Sequence, residues 1–169
     1  MTSVEPPDRA TILAAVMPAL LAVQAPTVDV EPAPDDRWGS ERHDGATAAD
    51  TVVATRERVV VGTSVAREAF GRLGARFRPL VDDGGLVAAG DVVADVGGPA
   101  VAIRRAAPVA LAFLDRLSAV ASGARPPDRD DPLEVYAAAV AASLPPAARL
   151  SPSTSVDDDG RSFRLGSEG

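Results

Sequence analysis

The 169-residue sequence contains no cysteine and no lysine, and only one histidine, one tryptophan and one tyrosine. Each scarcity removes a class of chemistry. Without cysteine there is no disulfide, no thiolate nucleophile and no cysteine-ligated metal, and the chain suits a reducing compartment. All 17 basic residues are arginine, so a P-loop lysine, a Schiff-base lysine and a lysine bearing a lipoyl or biotinyl group are absent, each of which requires the primary amine. A histidine mechanism has His43 or nothing to work with. The formal net charge is -7, with acidic residues scattered along the chain. Neither a nucleic acid backbone nor an anionic bilayer attracts such a surface, so nucleic acid and membrane are not expected partners.

Long apolar runs are also missing. Ala10 to Leu21 is apolar but too short to span a bilayer, and Val23-Gln24-Ala25 only loosely resembles a signal cleavage site. The leader before it holds Glu5 and Asp8 against a single arginine, the wrong charge for a secretory signal. A cytoplasmic location is the expectation. The hydrophobic content of 46% is enough for one core in a chain of this length.

Periodicity divides the chain into four parts. Residues 1–47 comprise a helix and an acidic, proline-rich loop: Asp8 can cap a helix whose Ile12, Leu13, Val16, Leu20 and Leu21 share one face, with Pro18 as a kink. Pro26 to about Gly45 has no period and reads as a surface loop containing Trp38 and His43. Residues 48–125 hold the organised domain. Thr51 to Ala54 and Val59 to Val61 are β-branched runs that predict two short strands. Val65, Ala66, Ala69, Phe70 and Leu73 then recur at helical spacing up to Gly74. Asp82-Asp83-Gly84-Gly85, Gly90-Asp91 and Gly97-Gly98-Pro99 punctuate very short apolar runs, a pattern of tight turns. Pro108 suits the first position of a helix to about Ser122, apolar nearly all round. In residues 126–148, Asp131-Pro132-Leu133-Glu134 has the logic of a capping box before a helix striped by Leu133, Tyr136, Val140 and Leu144. Residues 149–169 read as a flexible tail or at best a loose hairpin. The fold class expected is α+β, a small bent sheet of short strands, similar to a barrel-sandwich hybrid, packed with three to four helices.

Three segments in this order, Thr51 to Phe70, Asp83 to Ala100 and Val109 to Ser122, resemble the N-terminal domain of quinolinate phosphoribosyltransferase, also called nicotinate-nucleotide pyrophosphorylase. The family pattern in the last segment runs E-R-x-x-L-N-x-x-x-x-L-S-G-I-A-T. Leu111, Leu117, Ser118 and Ala121 match it, with Val120 and Ser122 as conservative replacements. The resemblance covers roughly Ala48 to Arg125. It implies an enzyme family of NAD biosynthesis that transfers phosphoribosyl to quinolinate, in which an α/β barrel follows this domain and supplies nearly all the substrate-binding groups.

Two departures bear on activity. The pattern's Glu-Arg falls on Ala107-Pro108 and its Asn on Ala112, so the arginine that the family presents to anionic substrates is a proline, which has no side-chain donor. Arg104 and Arg105 are the candidate substitutes, but a helix opening at Pro108 would leave them before it. Second, a short helix and a tail stand where the barrel would begin, so the chain alone is expected to be catalytically silent, without cofactor or metal. The resemblance implies a barrel-containing phosphoribosyltransferase as partner, or assembly with further copies of this chain. The role implied is a non-catalytic interaction or regulatory subunit, a pseudoenzyme; the alternative is one half of a split transferase. Phe113, Leu114 and Leu117 on the apolar helix are the candidate partner-binding residues.

Other features have plainer readings. His43-Asp44 with Asp35 and Asp36 is ordinarily a solvated acidic loop. Ser155, Asp157, Asp159 and Gly160 have calcium-loop spacing, but the first position is Ser and the twelfth is Gly166, not Asp and Glu. Trp38 suits either a partner anchor or a residue folded back on its own core.

Overall fold

Apolar residues that alternate along strands and recur every three to four residues along helices meet in one core, flanked by a four-stranded sheet and helices. The computed structural model describes residues 4–24, 46–145 and 162–168. In chain order these form α1 (Arg9–Gln24), β1 (Thr47–Ala54), β2 (Arg58–Val59), α2 (Thr63–Arg72), β3 (Arg76–Pro79), β4 (Leu86–Val87), β5 (Val92–Pro99), α3 (Ala100–Ala121), α4 (Pro132–Ser143) and β6 (Phe163–Leu165), the last followed by a 3₁₀ turn at Gly166–Glu168. The main sheet has the order β3-β5-β1-β6 with every neighbour antiparallel; β2 and β4 form a separate two-stranded ribbon. The fold is α+β, as the sequence predicts. Trp38, His43 and the acidic residues around them, and Ser155 to Gly160, lie outside the described residues.

The strand expected at residues 51–54 begins earlier, at Thr47, and pairs with β5 and β6, not with the run at 59–61. Val52 and Ala54 face the core, and Arg56-Glu57-Arg58 turns the chain away into the ribbon. The Gly97-Gly98-Pro99 stretch, predicted as a turn, is the end of β5. Its glycine is needed for a close approach: Gly98 has φ +140°, and a Cβ there would meet Ala75 Cα at 3.0 Å and the Gly74 carbonyl oxygen at 3.3 Å. The neighbouring chain is the lead into β3, a strand that no periodicity announces because only Phe77 in Arg76–Pro79 faces the core. Phe77 stacks on Phe70 of α2 with ring centroids 5.5 Å apart, joining sheet to helix.

α1 packs its Ile12, Val16 and Leu20 against α2 and α3, with Asp8 Oδ1 accepting from the Thr11 N–H at 3.3 Å as the cap. Pro18 sits on the exposed side, and Leu21, expected on the apolar stripe, is 60% exposed. The largest correction concerns α3. It starts at Ala100, two turns before Pro108, and runs through that proline to Ala121. Ala102, Ile103, Ala106 and Ala107 supply the buried stripe that extends it backwards. Pro108 is exposed, so the Arg104 carbonyl that loses its intrahelical donor lies on the side open to water.

The tail also differs from the sequence reading. β6 adds to the free edge of β1, pairing Leu165 with Val52, Arg164 with Val53 and Phe163 with Ala54. Phe163 and Leu165 enter the core, which is why a segment rich in Ser, Asp and Gly upstream still ends in a strand. At the far end, Ser167 donates from its N–H at 3.1 Å and from its hydroxyl to Asp50. Burial works against the Asp50 charge, but these bonds and those from the Thr51 and Gly166 N–H groups outweigh it and hold its carboxyl below the usual range. Replacing Phe163 with Ala is expected to remove about 3–5 kcal/mol of stability, the cost of emptying a buried aromatic site. A lower midpoint of urea denaturation measures it; an unchanged midpoint would mean that the tail is not part of the core.

Candidate functional site

α3 is the element on which the sequence-predicted site residues fall, and its two sides divide them. Phe113, Leu114 and Leu117 face inward; Leu114 and Leu117 have no exposed surface and Phe113 retains 9%. These three residues were expected to meet a partner and instead fill the chain's own core, against α2, the ribbon and β6. The exposed side of α3 carries Arg104, Arg105, Pro108 and Ala112. Because the helix is continuous, Arg104 stands four residues and one turn before Pro108 on that same side, rather than in a separate loop.

Two serines of the motif segment hold the ribbon to this helix. Ser118 Oγ, fully buried, accepts from the Val61 N–H at 3.0 Å and donates to the Val61 carbonyl at 3.3 Å; Ser122 Oγ accepts from the Val59 N–H at 3.1 Å. Immediately after Val61 the chain turns at Gly62, φ +107°, where a Cβ would lie 2.9 Å from Leu117 Cδ1. The amino end of α2 is then closed by Asp83, whose Oδ1 accepts from the N–H groups of Gly62 and Thr63 and from the Thr63 hydroxyl at 3.1, 3.0 and 2.7 Å. Its Oδ2 accepts from Tyr136 Oη at 3.1 Å, which links α4 to the same point. Burial first, then the nearby Asp83 charge, pushes the Tyr136 hydroxyl far above its ordinary value and keeps it a donor. A carboxylate from the chain itself therefore occupies the one helix terminus in this region that would otherwise attract an anion.

Glu134 departs from its sequence role. Asp131 caps α4 as predicted, accepting from the Leu133 N–H at 2.9 Å. Glu134 does not complete a capping box but turns inward, 1% exposed. Its Oε1 lies 2.9 Å from Arg125 Nη2 and its Oε2 accepts from the Asp128 N–H at 2.8 Å. Arg116, stacked 5.0 Å from the Phe113 ring centroid, brings Nη2 to 3.0 Å from Asp131 and Nε to 3.4 Å from Glu134. An acid at the third helical position after an arginine-bearing break is the one sequence signal for this knot. Asp83 has no such signal, since its partners are about 20 residues distant in one direction and 53 in the other. Between α1 and the loop before α4 an open groove of about 470 Å³ is lined by Thr11, Ala15, Asp128 and Leu133 among others. Among the described residues no group of three His, Cys, Asp or Glu side chains is placed to hold a metal, and no helix is long and apolar enough to cross a membrane.

A second polar cluster lies where α3 meets the start of β6. Asp115 Oδ1 accepts from the Ser162 N–H at 2.6 Å. Burial pushes its carboxyl up, opposed by the bonds from Ser162 and by the charges of Arg58 and Arg56. Such a raised value favours the neutral acid in the fold, so the contribution of Asp115 to stability is present at low pH and lost as pH rises through its folded value. Asp115→Asn is therefore expected to raise the urea midpoint at pH 7 and to leave it unchanged at pH 3; a fall at pH 7 would mean that attraction to the arginines outweighs burial. Glu134→Ala, which strands Arg125 and the Asp128 N–H beside a cavity, is expected to cost about 3–5 kcal/mol in the same measurement.

Residues 40–118 match the family described as quinolinate phosphoribosyl transferase, N-terminal domain. No curated protein matches the chain. Among solved structures, a NadC deletion mutant is 20% identical with a TM-score of 0.65, over 82% of this chain and 54% of that one. The nicotinate-nucleotide pyrophosphorylase from Francisella tularensis is 18% identical with a TM-score of 0.57, over 72% and 41%. The nicotinate-nucleotide pyrophosphorylase from Ehrlichia chaffeensis is 14% identical with a TM-score of 0.51, over 57% and 43%. At these identities the likeness is one of fold, and the chain spans only about half the length of the proteins it matches. Residues 40–118 of this chain are therefore similar in sequence to the N-terminal domain of quinolinate phosphoribosyl transferase, and the fold is similar to that of the NadC structures.

Proposed function

We propose that this chain serves NAD biosynthesis as a non-catalytic interaction or regulatory subunit, docking on a cytoplasmic phosphoribosyltransferase that carries the barrel. The observation that supports this reading is the exposed side of α3. The family pattern puts an arginine and an asparagine where Pro108 and Ala112 stand, so the face keeps its place in the fold and has lost its donors. Phosphoribosyl transfer requires several cations and an acid arranged around a pyrophosphate leaving group, and no such arrangement is present among the described residues. Around Pro108 and Ala112 this face is small and uncharged, which fits packing against another protein better than it fits binding a phosphorylated substrate.

One observation favours the second reading, one half of a split transferase. Four residues of helix rise about 6 Å, within reach of an arginine side chain, so Arg104 can deliver its guanidinium close to where a side chain at position 108 would point. Arg105 is exposed beside it.

Mixing the chain with a barrel-bearing transferase separates the two. The subunit reading expects co-elution in size-exclusion chromatography and quinolinate-dependent transfer that is unaffected by Arg104→Ala and Arg105→Ala. A loss of about 100-fold or more in either variant, the scale of a removed transition-state donor, assigns the split enzyme. Elution as a homo-oligomer without the transferase overturns both.

A further inference from the structure

α1 is apolar on both of its sides. Ile12, Val16 and Leu20 enter the core, yet the opposite side, with Ala10, Ala14, Met17 and Leu21, is exposed and equally uncharged; Met17 is 38% and Leu21 60% exposed. No residue from Ala10 to Gln24 is ionisable. α2 has the ordinary pattern, with Arg67 and Arg72 on its water-facing side. A helix that is apolar all round is normally covered all round. The spacing of Ala10, Ala14, Met17 and Leu21, alternating four and three residues, is that of a face on which another helix packs.

At its amino end this stripe runs into the groove between α1 and the loop before α4. Thr11, Ala14 and Ala15 line it on the α1 side, and Leu133 lines it on the other together with Asp128, Asp130 and Asp131. Asp8, which accepts from the Thr11 N–H and hydroxyl, brings a further carboxylate to the same end. Cations near the groove are engaged with other groups or stand outside it. Arg9 is bridged to Glu68 of α2 at 3.3 Å, Arg125 is held at Glu134, and Arg116 neutralises Asp131. Arg129 is exposed and does not line the groove, so Asp128 and Asp130 give it a negative sign.

We propose that the outer side of α1 and this groove together receive an amphipathic helix of a partner protein, apolar along one face and bearing lysine or arginine at the end that lies in the groove. Ala10 and Ala14 let a second backbone approach closely, Met17 and Leu21 supply apolar contact, and the carboxylates at one end fix the direction in which the partner lies. A second copy of this chain is a poorer match, because it brings the same carboxylates and a net charge of -7 to the contact. The surface is on a different helix from the exposed side of α3 and does not depend on the transferase reading.

The full-length chain, titrated with a synthetic helical peptide that carries leucines at helical spacing and lysines grouped at one end, tests this. A second peptide with glutamates in place of the lysines is the control. Affinity is read from peptide fluorescence anisotropy and location from backbone amide shifts in NMR. The lysine peptide should bind about tenfold more tightly than the glutamate peptide, with a salt dependence, and should shift the amides of α1 and of residues 128–133. Met17→Glu, which puts a charge into the exposed stripe, should weaken binding by about tenfold or more. Asp130→Lys should weaken it and flatten the salt dependence, and Arg104→Gln should leave it unchanged. If Met17→Glu fails to fold, Asp130→Lys and the amide shifts of the unaltered chain decide. Equal affinity for the two peptides, or shifts centred on α3, would overturn the proposal. Sedimentation of the chain by itself as a dimer that Met17→Glu dissociates would also overturn it, by assigning the face to a second copy.

Discussion

The fold depends on a match of spacing between a helix and a strand. Ser118 and Ser122 lie four residues apart on α3, about 6 Å along its axis, and Val59 and Val61 lie two residues apart on extended chain, which is nearly the same length. The serine hydroxyls therefore satisfy successive N–H groups on the side of the ribbon that no strand covers. Everything near the centre is placed by this contact. Leu117, next to Ser118, closes against Gly62; Gly62 starts α2; α2 brings Phe70 to Phe77 of the sheet. A side chain at position 62 would have to displace Leu117 as well as adopt a left-handed backbone, so the site resists substitution for two reasons.

Charge plays a structural part in the chain, and arginine is suited to it. Arg116 stacks on a ring while reaching two carboxylates, and Arg125 joins it at Glu134. A planar, permanently ionised group can do this where a lysine ammonium would present a compact, strongly hydrated charge. Glu134 and Asp83 tie α4 to α3 and to the start of α2, so the C-terminal helix is held by polar bonds as well as by Leu133, Ala137 and Val140. Breaking such pairs one side at a time is costly because the partner remains inside.

The helices and the family segment were legible because their signals are local: Asp8, Asp131 and Gly74 mark ends, and Val65 to Leu73 repeat at helical spacing. The exposed and buried sides of α3 were not. Pro108 resembles a helix start when seen alone, and only the burial of Ala102 to Ala107 against the rest of the fold overrides that preference. The consequence reaches the candidate site, since Arg104 and Arg105 move from a loop onto the face that carries Pro108, while Phe113, Leu114 and Leu117 move from a presumed docking surface into the core.

By itself, then, the sequence determined the fold class, the absence of lysine, cysteine and most histidine chemistry, and the resemblance to a domain family, since composition and short-range pattern carry all of these. The tertiary structure alone decided that the tail returns as β6, that Gly97 and Gly98 lie within a strand, and that Arg58 and Ser162 meet. These depend on contacts between residues about 20 to more than 100 positions apart, and a strand of three residues has too few alternations to announce which partner it will choose.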